Sequence, residues 1–279
     1  MAEMNLVRVA GWDGLGWLRH GFSMRAGGVS TVYGGKSLGG ALNLGWTKED
    51  DPASVTENRR RLVRAVSGDG VPMRLVTVRQ VHSGVVRVVG PRDGALEGRL
   101  ETPEGKAVLE GDGLVTNVPG VLIAVGTADC VPVLVVDREK RVVGAFHAGW
   151  RGTGARIVER GIETMRLEYG SRTEDLVAAV GPSIGGCCYA VGDEVREQFV
   201  GEFGYGGELF HERGGEVFVD LWKANRQQLV DAGVAAERIA MVGECTGCAR
   251  DAAGGRRYFS HRVERGVAGR MLNVVGIAR

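Results

Sequence analysis

Several residue types that would mark a large protein class are scarce in this chain. Cysteine and histidine number five each in 279 residues. So few cysteines, and an odd number, exclude a disulfide framework and point to a reducing compartment with free thiols. Proline is also rare, at 7, which excludes a Pro/Gly-rich disordered chain. Neither sign of charge dominates: 35 Lys+Arg against 34 Asp+Glu leave a formal net charge of +1. That balance supplies no global field for gripping nucleic acid or an anionic membrane, so neither is expected as a partner. No apolar run approaches the roughly 18 residues of a membrane helix. The opening stretch MAEMNLVRVAGWDGLGW lacks the basic start and apolar core of a signal peptide. A cytoplasmic protein is therefore expected.

Glycine, by contrast, is abundant: 46 residues, roughly twice the usual share of about 7%. With no G-X-Y period, this excess implies tight turns between short strands. Residues 1–50 read as short strands and loops. Residues 54–67 form the first clear amphipathic helix, with Ser54 as N-cap and Glu57 three positions on, the capping-box spacing. Residues 74–90 read as two strands turning at Ser83-Gly84, and 91–111 as an exposed loop. The segment 121–137 holds two nearly continuous apolar runs, as in strands buried on both faces. They are broken at Thr127-Ala-Asp-Cys130. Residues 142–147 form another buried strand, followed by a Gly-rich turn and a helix over about 153–169. Further on come strands at 176–181 and 216–221, a helix near 193–203, and a helix at 221–233 capped by Asp220. A last strand falls at 238–243. No linker, repeat or composition shift divides the chain. The reading is α+β, a single domain spanning 1–279, with mixed sheets and flanking helices.

Three residues stand out as chemical candidates. Cys130 interrupts two buried strands, a rigid platform for a catalytic group, although a buried thiol is often inert. His147 closes an apolar strand beside a glycine turn, where it could bind a metal, carry a proton, or simply be a satisfied core residue. His82 lies at the turn of the expected hairpin and is weak by itself. Together two imidazoles and one thiolate suit Zn²⁺ and leave a fourth position open, though spacings of 48 and 17 residues are not diagnostic. The segment GWRGTG (149–154) opens a helix straight after a strand. Its amides and Arg151 could hold an anion, or it could be a plain turn. Cys245 and Cys248 form a lone CxxC without a second pair, so no structural zinc site is signalled. Cys187 and Cys188 are adjacent and would face opposite ways in a strand. Both pairs read as structural. The HxE and PCxxC signature of nucleoside deaminases is missing, as are HExxH and a GxSxG elbow.

A series of ordered matches resembles one family, the bacterial YfiH-type proteins, also called laccase-domain or polyphenol-oxidase-like proteins. The matches are QVHSGVV (80–86), GDGLVT (111–116), TADCVPVLVVD (127–137), VGAFHAGWRGT (143–153), VGPSIGGCCYAVGDEV (180–195) and FVDLWKANRQQL (218–229). ECTGC, FSHR and GR follow within 244–270, and GFSMRAGGVS with ALNLG precede them. The resemblance implies a mixed β-sandwich with helices outside. It implies a zinc enzyme that phosphorolyses adenosine, inosine and methylthioadenosine and deaminates adenosine. The zinc ligands and catalytic residues it implies are His82, Cys130 and His147. Ser23, Arg25, Asn43 and Arg151 are the implied phosphate or nucleoside contacts. The expected partners are a small nucleoside and phosphate, with no obligate protein partner. The alternative is a cysteine or zinc amide hydrolase that edits peptidoglycan precursors of the UDP-muramoyl-amino acid type. Copper fits less well than zinc, since a multicopper centre needs many histidines, commonly as HxH, and none occurs here. The family's Ser-Tyr-Arg-Arg near the C-terminus reads Ser260-His261-Arg262-Val263, which leaves the role of the last segment open.

Overall fold

The computed structural model describes residues 6–34, 40–68 and 72–279. The N-terminal half runs β1 (Leu6–Val7), β2 (Leu18–Ser23), β3 (Ala26–Ser30), α1 (Pro52–Ser67), β4 (Arg74–Thr77), β5 (Val86–Val89), β6 (Gly113–Thr116), β7 (Val121–Thr127) and β8 (Val131–Asp137). The second half continues with β9 (Val142–Ala148), α2 (Trp150–Gly154), α3 (Ile157–Tyr169), β10 (Leu176–Val180), β11 (Ala190–Val191) and α4 (Asp193–Glu202). It ends with β12 (Phe210–Arg213), β13 (Glu216–Val219), α5 (Leu221–Asp231), β14 (Ile239–Met241) and β15 (Met271–Ile277).

Two mixed sheets dominate. One has the order β1-β2-β15-β7-β4 and the other β14-β10-β8-β9-β6-β5. A small antiparallel sheet, β11-β13-β12, stands apart from both. The near-continuous apolar runs read in the sequence place a hydrophobic side chain on both faces of the central strands, and both faces are covered. In β7, Ile123 and Val125 point between the two large sheets, where they meet Leu134, Val136 and Val143. Their neighbours Leu122 and Ala124 point the other way, against Leu62 and Val66 of α1. In β8 the alternation is repeated: Val131, Val133 and Val135 pack on Ile157, Ile162 and Met165 of α3 and on Leu229 of α5. The period of two thus builds four layers, helix, sheet, sheet, helix. This is the α+β sandwich with outer helices.

Four local expectations are corrected. α1 begins earlier, because Asp51 is the N-cap, accepting from Ala53 N at 3.2 Å, and Pro52 takes the first helical position. Ser54 lies inside the helix and donates to Asp51, while Glu57 pairs with Arg60 and Arg61. The expected helix over 153–169 is two helices, α2 and α3, with Arg156 between them in a left-handed conformation. The strands on either side of Ser83-Gly84 are present but do not form a hairpin: β4 pairs in parallel with β7, and β5 in parallel with β6 of the other sheet. Lastly, β15 went unread, yet it is fully buried between β2 and β7. Asn273 and Gly276 interrupt its apolar pattern. The Asn273 amide is satisfied inside the sheet by the carbonyl of Val125 and the hydroxyl of Thr127.

Candidate active site

The chain passes from one large sheet to the other three times near the same end of the sandwich, the last time along residues 242–270 from β14 to β15. Residues 78–85 carry it from β4 to β5, and residues 128–130 from β7 to β8. His82 lies on the first crossing and Cys130 on the second. His147 lies near the end of β9, directly across from Pro132 of β8. The ligand atoms of His82, Cys130 and His147 all lie within 4.8 Å of one another. The two imidazoles meet edge to face, 5.0 Å between centroids.

One buried carboxylate organises the group. Asp112 Oδ1 lies 2.9 Å from His147 Nδ1. The same carboxylate accepts the peptide N–H groups of Val81, His82 and Ser83 and the Ser83 hydroxyl. It therefore turns the Nε2 of His147 toward the cluster and also shapes the turn that presents His82, which is held at φ 59°. Burial opposes ionisation of Asp112, but His147 and the Ser83 donors hold its carboxyl down at about 2. Burial likewise opposes the Cys130 thiolate, and the two neighbouring imidazoles outweigh it, bringing the thiol to about 6. His147, despite burial that favours the neutral ring, is raised by Cys130 and Asp112 to about 9. Around Cys130 the backbone is strained at Asp129, φ 95°. Thr246 and the peptide N–H of Arg262 hold the Asp129 carboxylate at 2.6 and 2.7 Å.

Steric room explains two glycines of GWRGTG. A Cβ on Gly149 would sit 2.8 Å from Cys130 Sγ, and one on Gly152 would sit 2.9 Å from the His147 carbonyl. The segment that could have been an anion cradle is the five-residue α2. Thr153 anchors it to Asn225 and Gln228 of α5.

The three donors open into a cavity of about 620 Å³, a size suited to a small organic ligand. Arg59, Arg79, Lys106 and Arg270 line it, together with Trp46, Gln80 and His261, and among the described residues no acidic side chain lines it. Gln80 pairs with both the N–H and the carbonyl of Gly126, at 2.7 and 2.8 Å, so its side chain ties the first crossing to β7. Arg59 is stacked 4.9 Å from the Trp46 ring and bonds the carbonyls of Leu44 and Gly105. Burial lowers it to about 10, against the pull of Glu101.

Ser23, Arg25, Asn43 and Arg151 are not among the residues lining this cavity. Ser23 is buried, and its hydroxyl oxygen accepts the Leu272 N–H. Asn43 is buried in a network with Asp50, Gly45 and the Arg270 peptide. Arg25 is bound to Glu264 at 2.6 Å and to the Tyr33 carbonyl. Arg151 is exposed and lies over the Trp150 ring at 4.2 Å. Sequence reading missed Asp112 and the cationic wall. Asp112 had a signal, since it sits between two glycines in GDGLVT. The four cations had none, because three separate loops and a helix contribute them.

Residues 19–278 match the family described as multi-copper polyphenol oxidoreductase laccase. The chain belongs to this family. Within the laccase family, it is 41% identical over 261 residues to a purine nucleoside phosphorylase of Deinococcus radiodurans, covering 93% of this chain and 89% of that one. It is 38% identical over 218 residues to adenosine deaminase RL5 of an unknown prokaryote, covering 77% and 80%. The structure of Bacillus licheniformis hypothetical protein YfiH superposes with a TM-score of 0.84 at 30% identity, covering 99% of this chain and 97% of that one. YlmD from Geobacillus stearothermophilus gives 0.81 at 32%, covering 100% and 98%. In this laccase-family chain, no helix among the described residues is long and apolar enough to cross a membrane.

Proposed function

We propose that this chain is a zinc-dependent purine nucleoside phosphorylase, acting on adenosine, inosine and methylthioadenosine, with adenosine deaminase activity. The observation that carries the reading is a His₂Cys group at a cavity walled by four cationic side chains, with no carboxylate lining it among the described residues. Relatives named for both activities support it. Two imidazoles positioned by a buried carboxylate, together with a thiolate, match a catalytic zinc donor set, with the fourth position left to solvent or substrate. A multicopper centre needs more imidazoles than the two in this group, so zinc fits better than copper. A bound zinc ion supplies Lewis-acid polarisation at that open position.

The remaining chemistry falls to the chain. Arg59, Arg79, Lys106 and Arg270 draw phosphate into the cavity and offset its charge. Held there, phosphate attacks C1′ of the ribose as the bond to the purine nitrogen breaks. Leu44, Val78 and Leu272 give the base an apolar surface, and Trp46 an aromatic one. In this reading Ser23, Arg25 and Asn43 hold the framework behind the wall. The test is metal analysis alongside turnover of adenosine, inosine and methylthioadenosine, each with and without phosphate. Cys130→Ala and His147→Ala should each lose the zinc held by this group, and both activities with it. Full adenosine turnover by the Cys130→Ala protein would sink the proposal.

One observation favours a second reading. Cys130, His147 and Asp112 also form a thiol–imidazole–carboxylate relay, the arrangement of a cysteine amide hydrolase. Incubation with a UDP-muramoyl-amino acid, and separately with inosine and phosphate, separates the two. Product from the first alone would favour the hydrolase.

A further inference from the structure

Four of the five cysteines lie outside the site described above, and the fold gathers them. Cys187 and Cys188 sit in a turn whose Cys188 and Tyr189 N–H groups both reach the Gly185 carbonyl. Cys245 and Cys248 flank a second turn, closed by the Cys248 and Ala249 N–H groups on the Cys245 carbonyl. The four sulfurs all lie within 4.8 Å of one another, and Cys187 and Cys248 are 3.7 Å apart. Sulfurs bonded tetrahedrally to zinc at about 2.3 Å lie about 3.8 Å apart, so at most about 1 Å of closure is required. The adjacent pair does not face opposite ways along a strand, because residues 187 and 188 are in a turn.

The surroundings also suit a metal. The Gly185 N–H donates to Cys245 Sγ at 3.2 Å, the kind of contact that stabilises a metal-bound thiolate. Gly247 lets the second turn close on the first: a Cβ there would sit 3.0 Å from the Cys188 Cβ. Zinc with four thiolates carries a net charge of −2, and three guanidiniums stand on the carbonyls of these same turns. Arg213 donates to Cys187 O at 2.8 Å, and Arg250 and Arg256 donate to Gly247 O at 3.4 and 3.2 Å.

We propose that Cys187, Cys188, Cys245 and Cys248 bind one Zn²⁺ as a closed structural site, separate from His82, Cys130 and His147. Binding releases the thiol protons to solvent and strips water from the ion; no oxidant or reductant is involved. The site clamps two turns that both hold Asp129, one through Ile184 N–H on its carbonyl and the other through the Thr246 hydroxyl on its carboxylate. It therefore braces the crossing that carries Cys130, whatever reaction the catalytic cavity performs.

The experiment uses the full chain carrying Cys130→Ala, which removes the other thiol and leaves these four. Zinc alone is titrated into the reduced, chelator-treated protein. Bound metal is counted by elemental analysis and thiols by alkylation and mass spectrometry. The expected result is one zinc per chain with all four cysteines protected from alkylation. Cobalt in place of zinc should give the intense visible bands of tetrahedral thiolate coordination. Adding Cys245→Ser and Cys248→Ser should abolish both. Four reactive thiols with no bound zinc, or a disulfide within the group, would overturn the proposal, and either result is read on a protein whose four cysteines are intact.

Discussion

Asp112 does for both histidines what neither could do alone. Its carboxylate fixes the ring of His147 and terminates the peptide N–H groups around His82. A side chain on a crossing and one on a strand are thus referred to one rigid, buried group. Loss of such an outer-shell partner costs about 10–100-fold in metal affinity. Asp112→Asn should weaken zinc binding by that factor and lower turnover with it, as measured by competition against a chelator of known affinity. Ser83→Ala removes one donor to the same carboxylate and leaves the His147 contact in place. Its effect on zinc affinity should be clearly smaller. Equal losses in the two variants would assign the effect to the loop rather than to the histidine. At this scale the sequence was readable where residue type alone limits the chemistry. Cys130, His82 and His147 are distinctive because thiols and imidazoles are few. Arg59 and Arg270 are two arginines among many, and nothing local separates them from surface charge until the fold turns them inward.

Elements were legible wherever a strong period lay between clear breaks. The apolar runs of β7, β8 and β9 announced strands covered on both faces, and that is where they lie. Which sheet each strand joins was not legible. A turn of similar length serves a hairpin within one sheet or a crossing between two, and only the distant pairing partners decide. That difference governs the site, because the misread hairpin at 78–85 is one of the two crossings that deliver His82 and Cys130. The start of α1 was misplaced for a local reason. Ser54 and Glu57 satisfy the capping-box pattern, but Asp51-Pro52 is the stronger start, since proline fits the first helical position and loses no hydrogen bond there. Removing an N-cap acceptor costs about 1 kcal/mol. Asp51→Ala should therefore lower the unfolding free energy by about 1 kcal/mol in denaturant melts. Ser54→Ala should change it by a few tenths at most. The reverse order would restore Ser54 as the cap.

At the scale of the whole molecule, the four layers place an ionisable ring inside the apolar space that holds the sheets together. His20 on β2 is 3% exposed, with the Trp12 ring edge-on at 5.0 Å. Its Nε2 accepts the Val9 N–H at 2.9 Å, so the ring is neutral in the fold. Burial first, and then the nearby Arg8 guanidinium, lower its pKa from 6.5 to about 4. In the unfolded chain the ring regains the ordinary value. Between pH 6.5 and 4 the unfolded state therefore binds a proton that the folded state refuses, and stability falls as pH falls. The stabilisation is fully present above pH 6.5. A displacement of this size is worth about 3 kcal/mol once both states are protonated. His20→Gln keeps an acceptor for Val9 and removes the titration. Compared by denaturant unfolding at pH 7 and pH 4.5, the native chain should lose about 2–3 kcal/mol more than the variant. Parallel losses in the two proteins would assign acid sensitivity to the carboxylates. A selective loss in the native chain would assign the acid sensitivity to His20.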